Sequence, residues 1–151
     1  MKRIMLRSVY DAFDYVMAHY APAGMEEMAQ KQDTYVVISI QDTHTEGFGF
    51  EFRTNKYCKD VLTLYFDDTV KEVDGAVLFN QHAEKIIDFL QKNKAAETLL
   101  VHCYGGESRS RAVAAFATKM LGADNSRYFE TGHPNPVVYE TLEKVWKQRK
   151  R

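Results

Sequence analysis

Cysteine, proline, long apolar runs and an excess of either charge are all scarce in this chain. Only Cys58 and Cys103 occur among its 151 residues. Two cysteines build no disulfide framework, so a reducing, cytoplasmic setting is expected. No apolar run approaches the roughly 18 residues that a membrane span requires. The basic start Met1-Lys2-Arg3-Ile4-Met5-Leu6-Arg7 is followed by no long apolar stretch and is not read as a signal peptide. Lys plus Arg is 20 and Asp plus Glu is 21, for a net charge of −1. That balance gives no general pull toward nucleic acid or a membrane surface, and neither is expected as a partner. The basic tail Lys147-Gln148-Arg149-Lys150-Arg151 is short and reads as a solvated helix end, where cations are favoured. His19, His44, His82 and His133 lack ligand spacing, so no metal site is predicted. With three prolines and no linker or repeat, the chain reads as one domain over residues 1–151.

What is present alternates between two periods. Val9, Phe13, Val16, Met17 and Tyr20 recur at the spacing of one helix face, with Ser8 and Asp11 placed as an N-terminal cap. Residues 21–24 end that helix, and a short helix is read at 25–31. The β-branched run 35–40 reads as a buried strand. Phe48, Phe50 and Phe52 alternate, which predicts an edge strand with its rings on the core. A second strand is read at 61–66, ended by Asp67-Asp68-Thr69, with Asp60 as a solvated residue at its entry. Phe79, Ala83, Ile86, Ile87 and Leu90 predict a helix over 77–92. Residues 98–101 are apolar on both faces, which suits the centre of a parallel sheet covered by helices. A helix at 112–121 is stopped by Gly122. Asn135 caps a last helix that has Pro136 at its first position. Strands alternating with helices predict an α/β fold: a central, mostly parallel sheet of four or five strands flanked by helices on both faces.

One stretch carries chemistry: Val101-His102-Cys103-Tyr104-Gly105-Gly106-Glu107-Ser108-Arg109-Ser110. A buried strand delivers Cys103 to the carboxyl edge of the sheet, where open α/β folds place their ligands. Residues 104–108 then form a turn of mainly small residues leading into a helix at Arg109. Backbone N–H groups folded over a helix N-terminus make an anion cradle, and the same field favours a thiolate over a thiol. Gly105 and Gly106 let the backbone approach the anion closely. Arg109 offers a planar fork matched to phosphate oxygens, which lysine cannot copy. Nucleophile, cradle and fork together describe phosphoryl transfer to sulfur.

His102-Cys103, five residues, then Arg109-Ser110 resembles the signature of the cysteine-dependent protein tyrosine phosphatases, and the form of this stretch looks most like their dual-specificity branch. Gly105, often alanine in that branch, and the charge of Arg111 just inside the helix depart from the pattern. The resemblance covers roughly residues 61–146, including Pro134-Asn135-Pro136 before the last helix. It implies Cys103 as nucleophile, with Tyr104, Gly105, Gly106, Glu107, Ser108 and Arg109 holding the phosphate. Ser110 would bond the departing thiolate, and His102 would brace the loop. It also implies an aspartate general acid on a separate loop. Asp68, which lies 35 residues before Cys103, is the first choice and Asp67 the second. No cofactor is implied, since the cradle supplies the positive charge.

The reaction so implied is hydrolysis of phosphotyrosine, and of phosphoserine or phosphothreonine, in a protein or peptide. Phosphoinositides, inositol phosphates and RNA 5′-phosphates are alternative substrates, although the loop carries Glu107 and no lysine. A sulfur-transfer enzyme and a catalytically silent phosphate-binding module are further alternatives. Cys58 is read as a buried structural residue and Glu107 as solvent-exposed.

Overall fold

The computed structural model describes residues 1–19, 33–43, 51–68 and 75–150. Four strands form one sheet: β1 (Arg3–Arg7), β2 (Tyr35–Gln41), β3 (Cys58–Tyr65) and β4 (Thr98–His102), in the order β1-β4-β2-β3. Every pairing is parallel. The two inner strands, β2 and β4, are buried at every position, as a parallel sheet covered on both faces requires. The expected α/β architecture is therefore present, with four strands among the described residues.

Among the described residues five helices lie around the sheet: α1 (Val9–His19), α2 (Gly75–Lys92), α3 (Arg109–Met120), α4 (Ser126–Glu130) and α5 (Pro136–Arg149). Alternation along the strands sorts them into layers. Val36, Ile38, Ile40, Leu99 and Val101 pack with Phe79, Ile86, Leu90, Val113, Phe116, Leu142 and Val145 of α2, α3 and α5. The opposite face, with Tyr35, Val37 and Leu100, packs with Ala12 and Tyr15 of α1 and with Phe52. Among the described residues no helix is long and apolar enough to cross a membrane.

Several readings from the sequence need correction. Residues 3–7 form β1, the edge strand beside β4. Their mixed basic and apolar composition hid a strand whose outer edge is uncovered. The buried face of α1 is Val9, Ala12 and Tyr15, while Phe13 and Met17 remain 40% and 44% exposed. The strand β3 begins at Cys58, so Asp60 stands inside it and not at its entry. Its carboxylate accepts from Asn93 Nδ2 at 3.0 Å and from the Val61 N–H at 2.9 Å. The helix α3 begins at Arg109, as the loop reading has it and three residues before the apolar stretch at 112–121, and the sequence reading has no α4. Phe52 is buried but lies outside any strand, because the chain there is irregular. Phe48, Phe50, the end of the first helix at 21–24 and the short helix at 25–31 lie outside the described residues.

Parallel register decides where chemistry collects. Ser39 sits beside His102, and Gln41 beside Tyr65. The carboxyl ends of β2, β3 and β4 thus meet at one edge of the sheet. Asp42, the segment from Phe66 to Asp68, and Cys103 all leave from that edge.

Candidate active site

The loop from Cys103 to Ser108 is shaped by contacts that leave little choice of backbone. Gly106 has φ +73°, in the left-handed region. A Cβ there would lie 2.7 Å from the Arg7 carbonyl carbon and 2.7 Å from the Ser8 nitrogen. Only glycine relieves both the conformation and the contact. The loop is tied to the same junction by the Val9 N–H, which donates to the Tyr104 carbonyl at 3.1 Å. Beyond that bond, the exposed rings of Tyr10 and Tyr104 meet edge to face, with centroids 6.3 Å apart.

Cys103 is buried, and its sulfur faces two polar groups. The Gly106 N–H donates to Sγ at 3.3 Å, and Ser110 Oγ lies 3.1 Å from it. Both steady a negative sulfur, Ser110 by donating its hydroxyl hydrogen. These two contacts join the sulfur to the middle of the loop and to the first turn of α3.

Arg109 is buried at the first position of α3. Its Nη1 donates to Asp42 Oδ1 at 2.7 Å and to the Phe66 carbonyl at 2.8 Å. Its Nε is buried and makes no hydrogen bond within the protein. The two Nη1 contacts fix the guanidinium plane and leave the Nε edge of the fork for an oxyanion. Asp42 was not singled out from the sequence. A lone aspartate after a strand has no motif, and only the parallel pairing of β2 with β4 brings it to Arg109.

The two candidate acids separate clearly. Asp67 turns away to Thr43, accepting from its N–H at 3.0 Å and from its Oγ1 at 2.7 Å. Asp68 turns to the loop: its Oδ1 accepts from Ser108 Oγ at 2.9 Å and from Asn135 Nδ2 at 2.7 Å. The Asp68 carboxyl is thus bonded to the loop that follows Cys103.

His102 is fully buried beneath the loop. Its Nδ1–H donates to the Cys103 carbonyl at 3.2 Å, and its Nε2 accepts from Ser39 Oγ at 2.6 Å. That tautomer is assigned from the network, since the carbonyl can only accept. Gln41 Nε2 donates to the same Ser39 oxygen at 3.3 Å. Ser39 and Gln41 are a further part of the site that the apolar run of β2 concealed. Burial pushes the His102 pKa from 6.5 down to about 4, and the charge of Arg109 adds to the shift, against the Cys103 carbonyl bond. The unfolded chain binds this proton below about pH 6.5, whereas the folded chain excludes it until about pH 4. Stability is therefore lost as pH falls through that window, by about 3 kcal/mol from this group in all. Denaturant melts from pH 7 to 4 on the wild type and His102→Gln should show the loss in the wild type and a flatter profile in the variant.

The remaining loop residues fall as follows. Glu107 extends into solvent, its side chain 79% exposed and 4.0 Å from Arg111. Arg111 itself lies flat over Gly132, where a Cβ would meet its Nε at 2.5 Å. It donates to the Glu107 and Tyr128 carbonyls at 3.2 and 3.3 Å and to Thr131 Oγ1 at 2.9 Å. The unexpected charge inside the helix thus fastens the loop to α4. Cys58 is buried, and burial pushes its thiol up to about 12. It stands beside Tyr35, four residues along β2 from the neighbour of His102, which is roughly 13 Å. A disulfide needs Cα atoms within about 7 Å, so Cys58 is no partner for Cys103. Among the described residues no group of three His, Cys, Asp or Glu side chains is arranged to hold a metal ion.

No protein-family model matches this chain, and no curated protein does. Solved structures do. The chain is similar to the crystal structure of PTPMT1 in complex with PI(5)P, with TM-score 0.56 and 17% identity, over 98% of this chain and 92% of that one. It is similar also to DUSP15, with TM-score 0.54 and 20% identity, over 97% of this chain and 85% of that one. At these identities the likeness is one of fold. The fold is that of the dual-specificity phosphatase structures, as the loop signature led one to expect.

Proposed function

We propose that this chain, built on that fold, is a phosphatase that hydrolyses phosphomonoesters through a cysteinyl-phosphate intermediate, one catalytic domain spanning residues 1–151. The observation that carries the reading is the pairing of Cys103 and Arg109. One end of the loop holds a sulfur contacted by a backbone N–H and a hydroxyl, and the other end carries a buried guanidinium whose Nε has no hydrogen-bond partner among the described residues.

In the first step the Cys103 thiolate attacks phosphorus in line with the leaving oxygen. The S–P bond forms, the P–O bond breaks, and Asp68 gives its proton to the departing oxygen. The loop N–H groups and Arg109 take up the charge on the phosphoryl oxygens. In the second step Asp68, now ionised, takes a proton from water as that water attacks phosphorus. The S–P bond breaks, inorganic phosphate leaves, and Ser110 donates to the returning thiolate. His102 stays neutral, bracing the Cys103 carbonyl.

The substrate we favour is a phosphorylated protein or peptide, with phosphotyrosine first and phosphoserine or phosphothreonine after it. PTPMT1 holds PI(5)P in its crystal structure. Here the exposed Glu107 carboxylate stands on the loop and repels a polyanionic headgroup. The assignment of the acid is tested by Asp68→Asn beside Asp67→Asn, with phenyl phosphate as substrate. Asp68→Asn should lower kcat by about 10²–10⁴-fold, the range of general acid catalysis. Asp67→Asn should lower it less than ten-fold. The reverse order of effects moves the role to Asp67.

A further inference from the structure

The hydrogen bonds of Asn135 go beyond capping a helix. Its Oδ1 accepts from the Val137 and Val138 N–H groups at 3.0 and 3.2 Å, as an N-cap should. Those two donors fix the amide orientation, because Nδ2 cannot accept from them. The Nδ2 group is thereby aimed at Asp68 Oδ1, 2.7 Å away. The backbone N–H of Asn135 meanwhile donates to the Ser108 carbonyl at 3.1 Å. Asn135 is almost completely buried, so this arrangement is not a surface accident.

We propose that Asn135, with Ser108, is a positioning residue that holds the general acid against the phosphate loop through both half-reactions. This rests on the reading of Asp68 as that acid. Both donors converge on the same carboxyl oxygen, Oδ1. A carboxyl group with its proton on Oδ2 still accepts both bonds at Oδ1. An ionised carboxylate does the same. The clamp is therefore indifferent to the protonation state, and Asp68 need not swing between giving a proton and taking one. The clamp spans three separate parts of the chain: the segment after β3, the loop before α3, and the cap of α5.

A positioning role predicts a specific signature. A general acid matters most when the leaving group is a poor one, so its misplacement steepens the dependence of rate on leaving-group pKa. The test is kcat/KM for a series of aryl and alkyl phosphates of graded leaving-group pKa. The proteins compared are the wild type, Asn135→Ser, Asn135→Asp, Ser108→Ala and Asp68→Asn. Serine and aspartate both keep an N-cap acceptor for α5, and serine lacks the reach to Asp68. Aspartate sets an oxygen where the donor was.

The expected result is a slope steeper than wild type in Asn135→Ser and Asn135→Asp, approaching that of Asp68→Asn. The ratio of rates between the best and worst leaving groups should widen by about ten-fold, a fraction of the full effect of a general acid. Ser108→Ala should steepen it less, and it carries the test if neither Asn135 variant folds. A uniform loss across the series in every Asn135 and Ser108 variant, beside a steep Asp68→Asn, overturns the clamp and leaves the acid in place. A wild-type slope in Asp68→Asn overturns the assignment of the acid, and the clamp with it.

Discussion

Cys103→Ser should lose turnover of para-nitrophenyl phosphate by at least about 10⁴-fold, the scale on which removal of an activated nucleophile acts. The hydroxyl is far less ionised than a thiol, so neither the Gly106 N–H nor the α3 terminus makes it a comparable nucleophile. The cradle and Arg109 are untouched, so the variant should still bind a phosphopeptide. Wild type quenched rapidly in denaturant at alkaline pH, where a cysteinyl phosphate survives, should carry a phosphoryl group on Cys103, found by peptide mass analysis, and the variant none. If Cys103→Ser turns over at wild-type rate, sulfur is not the nucleophile. If reduced wild type binds phosphopeptide and never releases phosphate, a silent binding module replaces the enzyme.

Arg109→Lys is the second large effect. Lysine preserves the charge but not the fork, and its single ammonium cannot satisfy Asp42, the Phe66 carbonyl and two phosphoryl oxygens together. The loss expected in kcat is about 10²–10³-fold, the cost of removing one transition-state donor. KM should rise as well, since the same edge binds the ground-state phosphate. Asp42→Asn is the informative companion. It keeps an acceptor near Nη1 while removing the charge, so its effect should be several-fold smaller than that of Arg109→Lys. Equal losses in both would mean that the ion pair, more than the fork, matters.

The part of the candidate site that lies within one short stretch could be proposed from the sequence. Cys103, Arg109, Ser110 and the glycines sit at fixed spacing after an apolar strand, and each residue type has a physical reason to be there. Asp67 and Asp68 were both legible as candidate acids because a strand end precedes them, and their side chains take different partners, Thr43 and Ser108. Asp42, Ser39 and Gln41 were not readable. They join the site only through the register of β2 against β4 and β3, which no local pattern encodes. Asn135 was half legible: its capping role follows from Pro136, whereas its amide bond to Asp68 depends on where two distant loops come to lie. The edge strand β1 failed for another reason. Its five residues mix arginines with apolar side chains, and an edge strand needs no more than partial burial.

The seat of Gly106 on Arg7 and Ser8 has a consequence for folding kinetics. The strand that positions Cys103 pairs with β1 across some ninety residues of chain, and the loop takes its shape from the turn that follows β1. Contacts of that sequence separation form late, since the entropy of closing so long a loop must be met first. The loop from Cys103 to Ser108 is therefore expected to take its shape only once β1 has paired with β4. During refolding from denaturant, phosphatase activity should return only with the slowest phase, with no earlier species able to turn over substrate. A chain still short of its native topology has Cys103 without the Gly106 N–H and Ser110 contacts.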